Sequence, residues 1–138
     1  MAVTNTSTFY ATAPNAIYYD ENGNKLTILS KAVNYPTVTV GDQATPVVAA
    51  VAGKKIRVLA MALSTSINGP SCYLRSGAGG TQISETILRN ISGSTAAVNY
   101  QRSAYYPIFL YETAAGQALV LNCTNTGVAS VQVVYVLV

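Results

Sequence analysis

The feature that most constrains this chain is its punctuation. From Ile17 onward, apolar and β-branched runs recur about every ten residues, and clusters of Gly, Asn, Ser or Asp separate them. A helix would need apolar residues at i, i+3, i+4 and i+7, and that period extends no further than about two turns anywhere. Short strands with turn residues between them build antiparallel sandwiches or barrels. The expected fold is therefore all-β: an antiparallel β-sandwich with an extended N-terminal arm and a hairpin.

The arm is residues 1–16, where the run Thr4, Asn5, Thr6, Ser7, Thr8 has no hydrophobic period and Phe9 and Tyr10 are the apolar anchors. The hairpin follows. Residues 17–20 and 25–30 flank Glu21-Asn22-Gly23-Asn24, and Asn-Gly tolerates the positive φ of a tight turn. Residues 31–46 read as short extended pieces with a turn at Gly41-Asp42, and Pro36 and Pro46 suit edges or strand starts because they donate no hydrogen bond. Strong strand signals begin at Val47, which divides the chain into an arm and hairpin (1–46) and a sandwich core (47–138). Strands are expected at 47–51, 55–64, 71–76, 96–100, 105–111, 118–123 and 131–138, with a strand or short helix at 82–89. In 71–76, Cys72 and Leu74 share one face, and Tyr73 and Arg75 the other. The last run is apolar on both faces, which suits a strand central in a sandwich or one covered on its outer side by another subunit.

A chain of 138 residues can bury a core without staples. What is unusual is the charge: 9% of residues are charged, against about 25% in a typical soluble domain. A polar surface with few charges lets neighbours approach with little charge desolvation. The net charge is +3, and Lys54, Lys55 and Arg57 form the only basic cluster, read as a solvated turn edge. Nucleic-acid binding calls for a basic stripe, and none is present. No run approaches the ~18 apolar residues of a membrane helix, and the N-terminal stretch has neither the basic nor the apolar region of a secretory leader. Synthesis in the cytoplasm, without a membrane partner, is the expectation.

The chain has no histidine, hence no commonest general acid/base and no commonest transition-metal ligand. Its carboxylates are Asp20, Glu21, Asp42, Glu85 and Glu112. Only Asp20 and Glu21 adjoin, and they open a turn, so they read as solvated punctuation and not as a catalytic pair. Gly77-Ala78-Gly79-Gly80 lacks the Lys-Ser/Thr of a phosphate loop and reads as a strand connector. Cys72 and Cys123, without further thiolate or imidazole ligands, do not make a zinc site. They read as core thiols, with a disulfide as the alternative. No enzymatic activity and no cofactor are expected. The ten tyrosines include the pairs Tyr18-Tyr19 and Tyr105-Tyr106, which put one ring on either side of a strand. With no Trp present, these rank first as protein contacts, ahead of core filling and sugar binding. Phe9, Tyr10, Tyr18, Tyr19, Tyr105 and Tyr106 are the candidate assembly contacts.

Four segments, in order, add a resemblance: 52–60 (AGKKIRVLA), 74–81 (LRSGAGGT), 111–122 (YETAAGQALVLN) and 131–138 (VQVVYVLV). Over the stretch from Val47 to Val138 the chain resembles small virion structural proteins of tailed bacteriophages and prophages, many of them head decoration (cement) proteins. The resemblance implies a jelly-roll-like sandwich, commonly trimeric, bound to the major capsid protein or another virion protein at the capsid surface. It supplies no catalytic residues, and Glu112 reads as a loop-capping acceptor for backbone N–H groups. A neck, tail or fibre module that binds a virion protein or a host glycan is the alternative within the same resemblance.

Overall fold

The computed structural model describes residues 18–66, 71–84, 96–102 and 109–138; for Tyr18, Ser66 and 96–102 it describes the backbone only. Among these residues every regular element is a strand. In chain order they are β1 (Tyr18–Tyr19), β2 (Lys25–Leu26), β3 (Leu29–Val38), β4 (Gly41–Asp42), β5 (Ile56–Ser66), β6 (Cys72–Ser76), β7 (Thr81–Gln82), β8 (Ala96–Arg102), β9 (Tyr111–Glu112), β10 (Leu119–Cys123) and β11 (Gly127–Leu137). All pairings are antiparallel. One sheet has the order β3-β11-β5-β8, with β9 pairing the far end of β5, and the other β4-β10-β6-β7. The expected all-β sandwich is what forms.

The core lies between the sheets because the strands alternate. β11 turns Ala129, Val131, Val133 and Tyr135 inward, and β6 and β10 supply Cys72, Leu74, Leu119, Leu121 and Cys123. Tyr73 and Arg75 take the outer face, as the alternation requires. β11 is central in its sheet, paired along its length with β3 and β5. Its outer Val136 is covered by the chain's own Leu59, Leu26, Ile28 and Phe109.

Two bulges shape the larger sheet. Between the pairs Val134↔Ala60 and Tyr135↔Val58, β5 carries one extra residue, Leu59. The parity of β5 flips there, so Ile56 and Val58 face the core from one side of the bulge and Met61 and Leu63 from the other. In β3, Val38 and Tyr35 oppose Gly127 and Ala129, so the strand has an extra residue around Pro36, where a missing N–H costs no ladder bond.

The hairpin β1–β2 forms with Gly23 at φ 83°. Asp20 Oδ1 accepts the N–H groups of Asn22 and Asn24 at 2.9 and 2.8 Å and fixes the loop. Elsewhere the order of strands differs in detail from expectation. Residues 31–46 are not a series of short pieces: 29–38 is one ten-residue strand, and Gly41-Asp42 is a short strand on β10. The strand expected at 47–51 reduces to the bridge Val48↔Leu119. Of the element expected at 82–89, Gln82 lies in β7 and residues beyond 84 are outside the description, as are 105–108. β3 falls in the stretch 1–46, yet its Tyr35 and Val38 are core residues, and the Tyr35 hydroxyl donates to the Thr45 carbonyl at 2.9 Å.

Leu121 is fully buried between the sheets. Leu121→Ala should lower unfolding free energy by about 2–5 kcal/mol through lost transfer energy and the cavity left behind. Chemical denaturation with an unchanged slope would show it.

Candidate assembly surfaces

Each sheet leaves an outer face, and the two are built differently. On the larger sheet the register sets two cross-strand rows side by side. Asn34, Ser130 and Ser64 make one, and Ala32, Gln132 and Ala62 the other; by register the rows continue to Val98 and Tyr100 of β8. These six side chains are uncharged and most are short, so the face is flat, with a shallow depression of about 270 Å³ among them. Ser130 donates its hydroxyl to Asn34 Oδ1 at 2.9 Å. Beside the rows runs β3, ten residues long, whose outer edge pairs with nothing among the described residues. An open edge of that length offers backbone donors and acceptors to an incoming strand.

At its other end the same face is closed by the hairpin. Arg57, on the outer side of β5, directs Nε to Glu112 Oε2 of β9 and Nη2 to Glu21 Oε1 of the hairpin loop. Its Cζ lies 4.9 Å from the Phe109 ring centroid, and its side chain is 9% exposed. Burial works against this charge, and the two carboxylates outweigh it and hold the guanidinium protonated. Lys55 Nζ adds a longer contact to Glu112 at 3.3 Å. The basic cluster is thus not a solvated turn edge throughout: Lys54 is exposed and Arg57 is buried. Among the described residues Glu112 accepts from the Lys55 and Arg57 side chains, where a loop-capping role for backbone N–H groups is expected. The sequence signal for this site was a cation inside an apolar run, because an unpaired Arg is not stable there.

The smaller sheet carries a polar knot. Asn122 and Asp42 are cross-strand partners, and the Asn122 amide donates to Asp42 Oδ1 at 2.7 Å. Arg75 Nη1 lies 3.3 Å from both carboxylate oxygens, and the Gly79 N–H donates to Oδ2 at 2.6 Å. Burial raises the Asp42 pKa, and the donors from Asn122, Gly79 and Arg75 more than offset it, so the carboxyl sits below its usual range. Asp42 thereby ties the Gly77–Gly80 connector to the sheet. The connector must be glycine-rich: a Cβ on Gly80 would stand 1.9 Å from the Ser76 carbonyl oxygen.

Of the candidate contacts, Tyr19 lies in β1 and is exposed at 43%. Tyr18 is in the same strand by its backbone. Phe9, Tyr10, Tyr105 and Tyr106 lie outside the described residues. Asp20 caps its own loop and Glu21 holds Arg57, so the adjacent carboxylates each serve a structural contact. Among the described residues no group of three or more His, Cys, Asp or Glu could hold a metal ion.

No family model matches the chain, and no curated protein matches it. Among solved structures it is similar to a chain of the cyanophage Pam1 capsid asymmetric unit. The match has a TM-score of 0.44 and 16% identity, and covers 80% of this chain and 84% of that one. A likeness of that size carries no argument about function, which rests on the surfaces above.

Removing the Glu112 charge would leave Arg57 buried beside an incomplete set of partners. Glu112→Gln should cost about 3 kcal/mol, whereas Glu21→Gln, at an exposed carboxylate, should cost far less. Paired denaturation curves of the two variants give the comparison. The Glu21 carboxyl is held below its usual range by Arg57. Its contribution is therefore present at neutral pH and is lost as pH falls through that lowered value.

Proposed function

We propose that this protein is a non-enzymatic structural component of a tailed-phage virion that decorates the assembled capsid. In this reading it binds the major capsid protein as a homo-oligomer, a trimer by preference. The observation that carries the proposal is the outer face of the larger sheet, flat and uncharged in the rows Asn34–Ser130–Ser64 and Ala32–Gln132–Ala62 and bordered by the edge of β3, which is open among the described residues. Such a face can be covered by another protein without stranding a charge, and it offers little to a reaction. The sequence resemblance of 47–138 to phage virion proteins supplies the kind of assembly. The jelly-roll form of the sandwich belongs to the same reading, supported by a chain that crosses between sheets from β3 to β4, β5 to β6 and β10 to β11.

Within this proposal residues 1–16 act as an arm that adds to a sheet edge of a neighbouring subunit, with Phe9 and Tyr10 as anchors. The tyrosines at 18, 19, 105 and 106 serve as further contacts. A neck, tail or fibre location is separated from capsid decoration by copy number. Hundreds of copies spread over the shell support decoration, and a dozen or fewer at one vertex or on the tail place the protein elsewhere.

Ala62→Arg puts a long cation into the uncharged rows. It should change the stability of the purified protein by no more than about 0.5 kcal/mol and abolish its binding to particles that lack it. Deleting residues 2–14 should likewise leave the melting temperature within a few degrees and weaken attachment sharply. Sedimentation of particles with added protein, and imaging of the particle for position and copy number, give the readout. Undiminished attachment of both variants would refute the proposed surfaces.

A further inference from the structure

The fold sets the two thiols of the chain face to face. Cys72 in β6 and Cys123 in β10 are direct cross-strand partners. The Thr124 N–H donates to the Ser71 carbonyl at 2.9 Å. A bond in that flanking position marks Cys72–Cys123 as a non-hydrogen-bonded pair, whose Cα atoms stand about 4.5 Å apart in an antiparallel ladder. A disulfide spans Cα atoms about 4.4–6.8 Å apart, so the backbone is already spaced for one. Both side chains point into the core, at 0% and 1% exposure. The sulfurs are 2.8 Å apart and not joined.

We propose that Cys72 and Cys123 form a redox pair, which an oxidant of the disulfide class closes into a cross-strand bond between β6 and β10. One cysteine thiolate attacks the oxidant's disulfide and expels one of its thiols, leaving a mixed disulfide. The second cysteine thiolate attacks the protein sulfur of that mixed disulfide and expels the other thiol. Two S–H bonds on the protein are replaced by one S–S bond, and oxidised glutathione leaves as two molecules of reduced glutathione, which carry the two hydrogens and two electrons.

The site also controls the rate. The hydrogen bond to Cys123, with burial, pushes the Cys72 thiol far above its ordinary value. Thiolate is therefore scarce while the sheet is closed, and exchange waits for the β6–β10 edge to open. The bond would join positions 51 residues apart, and the loop it closes contains β7, β8 and β9, which span both sheets. This chemistry rests on the register alone. Its use, to stiffen a coat protein once it leaves a reducing cytoplasm, rests on the virion reading.

The test is to refold the full chain with oxidised glutathione and, separately, with excess reduced glutathione. Both samples are then denatured, treated with a thiol-alkylating reagent and weighed by mass spectrometry. The oxidised sample should be monomeric by non-reducing electrophoresis and about 2 Da lighter before alkylation. It should take up no alkyl group and melt about 10 °C higher, with full reversal by reductant. Incubating already folded protein with the same oxidant should give the same product more slowly. A chain with both Cys72→Ala and Cys123→Ala should not respond to oxidant. Two alkyl groups on the oxidised chain, a bond between chains, or a melting temperature no higher than that of the reduced form would overturn the proposal. Failure of the protein to attach to particles would count against the proposed function and leave this inference standing.

Discussion

The structure depends on the antiparallel pairing of β11 with β3 on one side and β5 on the other. Along Gly127–Leu137 a single strand satisfies the inner edges of two neighbours and buries Ala129, Val131, Val133 and Tyr135 against the opposite sheet. The four-stranded sheet needs that floor, since Leu74, Leu119 and Leu121 would otherwise face water. Burial of each such side chain contributes about 1.5–3 kcal/mol. The bulge at Leu59 lets β5 meet this demand while serving a second one. It turns Leu59 outward into the small cluster beneath the hairpin, with Arg57 on the same side of the strand.

Charge is used sparingly, and where it occurs in the described residues it mostly joins elements distant in sequence. Arg57 links β5, β9 and the β1–β2 loop, and Asp42 links β4, β6, β10 and the glycine connector. Arg57 is buried but its partner Glu21 is exposed, and Asp42 and Arg75 are both partly exposed, which lowers the desolvation cost that fully buried ion pairs carry. The rest of the larger sheet's described outer side chains are Ala, Ser, Asn, Gln and Val, and by register the row Ser30–Val134–Ala60 continues to Arg102 of β8. Stability and availability for contact are thus divided along one sheet: ion pairs and an apolar patch at the hairpin end, an uncharged flat face at the other.

Apolar runs set between turn residues make β6, β10 and much of β11 legible in the sequence, and Asn22-Gly23 marks the hairpin. Tyr73 and Arg75 opposite Cys72 and Leu74 followed from period two alone. β5 was legible as a strand but not in its facing, because the bulge flips its parity and makes 56–66 read as apolar on both sides. β3 reads as fragments because, among the described residues, it is an edge strand. Ser30, Lys31, Asn34 and Pro36 are tolerated at an edge and interrupt any hydrophobic pattern. The strand signal of 47–51 was composition without pairing: Val47 and Val48 both direct their N–H to the Leu119 carbonyl, leaving one bridge. The roles of Arg57 and Asp42 are hidden because their partners come from remote parts of the chain, and locally Arg57 reads as a solvated turn edge and Asp42 as part of a turn.

In the proposed assembly the chain presents the β3 edge and the adjoining flat face to a partner while β11 holds the domain together. Amide hydrogen exchange, compared between the free protein and the protein bound in its assembly, tests this directly. Strong protection is expected throughout β11 in both states, with new protection on assembly confined to β3 and to β5 between Ala60 and Ser64, where Ala60, Ala62 and Ser64 face outward. Protection gained instead around Asp42, Tyr73 and Asn122, with β3 unchanged, would contradict it.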